Sequence, residues 1–142
     1  MAGHTIEVSP VTSRQDLNDF IKLPWKIYRN DPQWVPPLIS QQKVQFDKKK
    51  HPFFEHSEAD FFIARKGKET VGTIVAIINN RHNQVHQENV GFFGFFETIN
   101  DYQVAEKLLD KVMDWAKAKK LDYIRGPENY SQNEVAGLLV DG

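Results

Sequence analysis

The sequence predicts a mixed α/β domain, and three observations predict it. A segment near the N-terminus alternates polar and apolar residues, two β-rich segments are joined by Lys66-Gly67-Lys68, and an aromatic segment is followed by a long amphipathic stretch and a short β-rich one. A hairpin pairs its strands antiparallel, whereas strand, helix, strand requires a right-handed parallel crossover, so both pairings meet in one sheet.

Thr5 to Pro10 has Ile6 and Val8 on one side, the period of a half-buried strand that Pro10 ends. Ser13 is placed to cap a helix, with Asp16 three residues on, and Leu17, Phe20, Ile21, Trp25 and Tyr28 recur at helical spacing. Pro24 lacks an N–H and is expected to kink or end this helix near Leu23. Asp31-Pro32 and Trp34-Val35-Pro36-Pro37 then mark an ordered turn before a second helix. Asp60 to Arg65 and Thr70 to Asn79 form the hairpin. The continuous apolar run from Ile74 to Ile78 predicts a strand buried on both faces, inside the sheet and covered by helices. Asn80 to Gln87 reads as a polar loop. Val90 to Phe96 is aromatic on both faces and is placed as the central strand, with Gly91 and Gly94 marking a bulge or a close backbone approach. Between Asp101 and Lys120, Val104, Ala105, Leu108, Leu109, Val112, Trp115 and Ala116 form the stripe of a long helix, and lysines favour its C-terminal half. Tyr123-Ile124-Arg125 is a short strand before Gly126-Pro127, and Asn129 to Gly142 has no clear period.

The 142 residues, 40% hydrophobic and 26% charged, suffice for one core and therefore one domain over residues 1–142. A formal charge of −1 gives no net attraction to nucleic acid or acidic membranes, so neither is expected as a partner. With no cysteine there is no disulfide, thiolate metal site or cysteine nucleophile, which fits a reducing compartment, and cytoplasmic is the default. No signal-like or membrane-length apolar run is present.

The order of elements is similar to that of the GNAT acyltransferases, and the sequence resembles a bacterial group of GNAT-like N-acetyltransferases. Leu23-Pro24-Trp25-Lys26-Ile27-Tyr28, Asp31 to Pro37, His51-Pro52-Phe53-Phe54, Gly91 to Glu97, and Gly126-Pro127 followed by Asn133 and Gly137 to Gly142 carry the resemblance. It implies a GNAT-like acyl-CoA N-acyltransferase fold, and a chain that runs past Gly142 into the last strands. A chain ending at Gly142 is expected to expose a sheet edge and to form a homodimer or larger species.

The resemblance also implies a chemistry. An acyl thioester, with acetyl-CoA or another acyl-CoA as co-substrate and no metal, would lie along Gly91 to Phe96, and a small-molecule amine acceptor would attack it. Glycines there would admit a pantetheine arm and an unpaired N–H would polarise the carbonyl; the alternative is that glycine only makes room for neighbouring rings. Glu97 takes the place of the carboxylate that accepts the amine's proton, with Phe95 and Phe96 raising its pKa, against the alternative of a solvated strand-end glutamate. Tyr130 is the candidate for protonating the leaving thiolate. Cofactor contacts are implied for Phe95, Phe96, Glu97 and Thr98 on the strand, for Asn100, Tyr102, Gln103 and Val104 at the start of the next helix, and for Asn133.

One feature departs from the family. Its glycine-rich, basic pyrophosphate loop is replaced by Asn100-Asp101-Tyr102-Gln103-Val104-Ala105, without glycine or cation, and Asn100 with Gln103 reads as a capping box. A non-catalytic GNAT-like binding module is therefore the alternative function. His82, His86 and Glu88 have a metal-ligand spacing only on a helix, and in a loop they read as solvated; His51 with His56 is no better. Lys48-Lys49-Lys50 reads as a solvated helix end. Trp25, Tyr28, Trp34 and Phe46 could line an acceptor pocket, but aromatic residues at helical spacing more often form core.

Overall fold

The computed structural model describes residues 5–33, 43, 46–47 and 57–127. Its elements run β1 (Ile6–Pro10), α1 (Arg14–Ile27), β2 (Ser57–Lys66), β3 (Glu69–Asn79), α2 (Asn80–His86), β4 (Val90–Thr98), α3 (Tyr102–Ala118) and β5 (Tyr123–Arg125). The sheet has the spatial order β1-β2-β3-β4-β5. Neighbours pair antiparallel except β4 and β5, which α3 joins in parallel. The sheet is mixed, and among the described strands the middle one is β3 and the aromatic β4 lies next to it, because β1 adds to the outside of the hairpin. The second helix expected beyond Pro37 lies outside the described residues.

Each face of the sheet carries a helix. On one, Val104, Leu108, Val112 and Trp115 of α3 pack on Phe62, Ala64, Ile74, Ala76 and Ile78. On the other, Phe20 and Ile21 of α1, with Phe46, pack on Phe61, Ile63, Val75, Ile77 and Phe92. Alternate residues of β2 and β3 thus serve opposite cores, and Val71 to Ile78 is buried throughout. The hairpin turn places Gly67 at φ 64°, where a side chain would be strained.

The Ser13 cap forms as a reciprocal box: Ser13 Oγ accepts the Asp16 N–H at 3.0 Å, and Asp16 Oδ2 accepts those of Thr12 and Ser13 at 3.1 and 3.3 Å. α1 does not stop at Leu23 but passes through Pro24 to Ile27. Proline removes one donor and leaves the following carbonyls able to accept, and the Tyr28 N–H closes the last turn on the Pro24 carbonyl at 2.8 Å. Ion pairs fix the helix over the sheet: Arg65 reaches Asp16 and Asp19 at 2.9 and 2.8 Å, and Lys26 binds Glu69 and, at 3.1 Å, the Thr70 carbonyl. These contacts set the C-terminal end of α1 beside the end of β4.

Asp16 is held at about 2, against an ordinary 3.8, first by the Thr12 N–H and then by Arg65 and the Ser13 N–H, with burial opposing them. A carboxylate lowered on folding stabilises fully above 3.8, and that stabilisation disappears as pH falls toward 2. Asp16→Asn is expected to lower stability at neutral pH and to flatten the loss of stability across that acid window, as read by urea unfolding at a series of pH values.

Within the stretch Asn80 to Gln87, read from sequence as a loop, Asn80–His86 forms α2. It buries nothing and is made by its ends: the Asn79 side chain accepts the His82 N–H at 3.0 Å, and Gln87 closes it at φ 52°. The Asn83 carboxamide donates to the Val90 carbonyl at 3.1 Å and accepts the Val90 N–H at 3.2 Å.

Candidate active site

The site is built where β4 changes register. On β3, Ile74 stands between Thr73, paired with Glu97, and Val75, paired with Gly94; on β4 the same interval holds both Phe95 and Phe96. This is a β-bulge, and it falls after the glycines rather than on them. Phe95 adopts φ 49°, a costly conformation for an aromatic residue. Among the described residues, Thr73 Oγ1 donates to the Phe95 carbonyl at 3.1 Å, and the Phe95 ring packs edge-on against Phe46 with centroids 4.9 Å apart. Thr73 is the buried polar residue of the described core, and this bond satisfies its hydroxyl.

Gly91 serves packing, since a Cβ there would lie 2.7 Å from both Ile124 and Leu121, which are aliphatic neighbours and not rings. On the far side of β4, pairing with β5 runs from Val90–Tyr123 to Phe92–Arg125, so among the described residues the two strands pair only below the bulge.

The bulge inverts the alternation of side chains and aims Glu97 toward α1. Tyr28, which caps that helix, donates its hydroxyl to Glu97 Oε2 at 2.5 Å. Glu97 is half-buried. Burial raises its pKa above the ordinary carboxylate value, while the Tyr28 hydrogen bond acts in the opposite direction. Burial, the hydrogen bond to Glu97 and the Glu97 charge all push Tyr28 up, so it stays protonated and remains a donor. Tyr28 sits on the aromatic stripe that the spacing assigns to core, and the sequence gives no signal of its partner.

Beside this pair lies a cavity of about 770 Å³ lined by Lys26, Ile27, Tyr28, Arg29, Thr98, Ile99, Asn100, Asp101, Tyr102 and Ala105. Of the residues singled out from sequence for cofactor contact, it brings together Thr98, Asn100 and Tyr102, but not Phe95, Phe96, Glu97, Gln103 or Val104. Val104 is fully buried in the α3 core. Tyr130 and Asn133 lie outside the described residues. The α3 cap is Asp101 and not Asn100: Asp101 Oδ1 accepts the Gln103 N–H at 2.9 Å, and its carbonyl accepts the Val104 N–H at 3.1 Å. Aspartate at this place uses donors that a phosphate would otherwise take. Lys66 stands 3.4 Å from its carboxylate.

α2 brings the His82 and His86 rings to 4.5 Å between centroids, and His82 Nε2 lies 2.8 Å from Glu88 Oε2. Glu88 also accepts from Arg125 at 3.0 Å. Among the described residues no three potential ligands converge as for a metal, and no helix is long and apolar enough to cross a membrane.

No family model matches the chain. It is 35% identical over 138 residues to the bacterial ceramide synthase of Caulobacter vibrioides, an alignment covering 96% of this chain and 36% of that protein. It is 32% identical over 130 residues to Protein YghO of Escherichia coli K12, covering 92% of this chain and 33% of that one. The chain thus spans about a third of the length of the curated relatives it matches. Among solved structures, an aminoglycoside N-acetyltransferase in complex with CoA superposes with a TM-score of 0.60 at 17% identity, over 99% of this chain and 95% of that one. The mixed sheet, the bulge in β4 and these likenesses identify the chain's fold as that of the GNAT N-acyltransferases.

Proposed function

We propose that the protein transfers an acyl group from an acyl-CoA to an amine, by direct attack of the amine on the thioester. The observation that carries this reading is Glu97: a carboxylate with a raised pKa, set just past the bulge and oriented by Tyr28 beside a cavity. An amine arrives largely as ammonium and must lose a proton before it attacks, and a base with a raised pKa holds that proton more readily than an ordinary carboxylate. Glu97 takes one proton from the ammonium, the C–N bond forms and the C–S bond breaks. The second proton that nitrogen gives up as the amide forms ends on the leaving thiolate, so CoA departs as the free thiol. The acyl thioester supplies the electrophilic carbonyl. β4 beyond Phe92 offers backbone for it to lie along, and the cavity receives the rest of the donor.

The identity to a protein named as a ceramide synthase supports a finer reading. A ceramide is an N-acylated long-chain amino alcohol, so the first acceptor to test is an amine of that class. Asp101 at the start of α3 favours the other reading, a GNAT-like module that has lost CoA binding. Calorimetry with acetyl-CoA and longer acyl-CoAs, followed by an acyl-transfer assay with long-chain and small amines, separates the two. Binding with release of free CoA is expected. Absence of binding to every acyl-CoA overturns the enzyme reading.

A further inference from the structure

The loop that ordinarily grips pyrophosphate has no cation here, yet the cavity it faces does. Lys26, in the last turn of α1, and Arg29, just beyond that helix, line it together with Asp101. Their states differ. Lys26 already binds Glu69 and the Thr70 carbonyl, leaving its ammonium one of three donors, whereas Arg29 is exposed and has no ion-pair partner among the described residues. The Asp101 charge is offset by Lys66, which approaches it at 3.4 Å. The charge left unanswered around the cavity is therefore that of Arg29. On its rim Tyr102 is 80% exposed, an aromatic ring that no packing in the described core explains.

We propose that the nucleotide end of the acyl donor is held by side chains across this cavity rather than by a glycine-rich loop: Arg29 forks onto phosphate oxygens, Lys26 adds charge behind it, and Tyr102 stacks on the base. The proposal rests on the acyl-CoA reading above. It is physically economical, because a guanidinium needs no free backbone N–H at the helix start, and those of Gln103 and Val104 are already engaged. Stacking on an exposed tyrosine tolerates any base and adds modest affinity.

The test uses 3′,5′-ADP, the detached nucleotide end of CoA, in calorimetry on the wild type and on the Arg29→Glu, Arg29→Lys and Tyr102→Ala variants. Acyl-transfer kinetics with acyl-CoA and with the matching acyl-pantetheine accompany it. Arg29→Glu is expected to weaken 3′,5′-ADP by about tenfold or more and to lower the preference for acyl-CoA over acyl-pantetheine by a similar factor, with Arg29→Lys in between. Tyr102→Ala weakens 3′,5′-ADP by a smaller factor. Circular dichroism confirms that each exposed-site variant is folded. An unchanged preference and unchanged 3′,5′-ADP affinity in folded Arg29→Glu overturn the inference. So does a wild type that uses both thioesters without binding 3′,5′-ADP, and the enzyme reading then stands. A protein that uses neither thioester overturns that reading, and this inference with it.

Discussion

Replacing Glu97 by glutamine is expected to lower kcat for acyl transfer by about 10²–10⁴-fold, the range for loss of a positioned general base, while acyl-CoA affinity stays near that of the wild type. The amide keeps the shape and can still accept the Tyr28 hydroxyl, so the loss reports the proton and not the packing. The stability effect should run the other way. Because folding raises the Glu97 pKa above 4.5, the folded state binds the proton more tightly than the unfolded one, and burying the charge destabilises the protein as pH rises past that value. Glu97→Gln removes that cost, and its neutral-pH stability in urea should equal or exceed wild type. Tyr28→Phe sharpens the test. The Tyr28 hydrogen bond lowers the Glu97 pKa, so removing it should raise that pKa further and move the acid limb of the kcat/KM profile to higher pH. If activity in Tyr28→Phe falls without any movement of that limb, Tyr28 serves structure alone.

Leu108→Ala should produce the largest loss of stability, about 2–5 kcal/mol, since Leu108 is fully buried where α3 sits on β3. Its seat is Gly72. A Cβ built there would fall 2.7 Å from Leu108 Cδ1 and from Val104 Cγ1, so the missing side chain is what lets helix and sheet meet. Gly72→Ala alone is expected to cost about 1–3 kcal/mol through overpacking. Combined with Leu108→Ala it should cost less than the sum, because the shortened residue no longer collides with the new methyl. Additivity within about 0.5 kcal/mol in a double-mutant cycle would mean that the two positions do not share this space.

What the sequence made legible follows from period and turn chemistry. The hairpin, the α3 stripe and the parallel step into β5 are local patterns, and the structure contains them. α2 was not legible, because Asn80 to His86 has no apolar stripe; its stability comes from Asn79, Asn83 and Gln87 satisfying backbone groups. α1 continues past Pro24 with the Tyr28 N–H closing on the Pro24 carbonyl and Lys26 tied to Glu69 and Thr70, contacts that spacing alone does not reveal. The bulge was expected at the glycines and lies at Phe95 and Phe96, since what fixes it is Thr73 and Phe46 from other elements. The site divides in the same way. Glu97 stood out at a strand end, but Tyr28 pairs with it across 69 positions, and Arg29 joins the cavity only through the pose of α1.

The Asn83 carboxamide presents to Val90 a donor and an acceptor spaced like those of a peptide group. It acts as a single artificial rung, anchoring the strand at its origin. In a strand every residue alternates sides, so displacement by one position would turn the carboxylate of Glu97 from α1 to the opposite face. A half-buried amide at the origin of β4 therefore helps to hold the strand in phase, and its loss would be felt at the Glu97 end as misalignment rather than as unfolding.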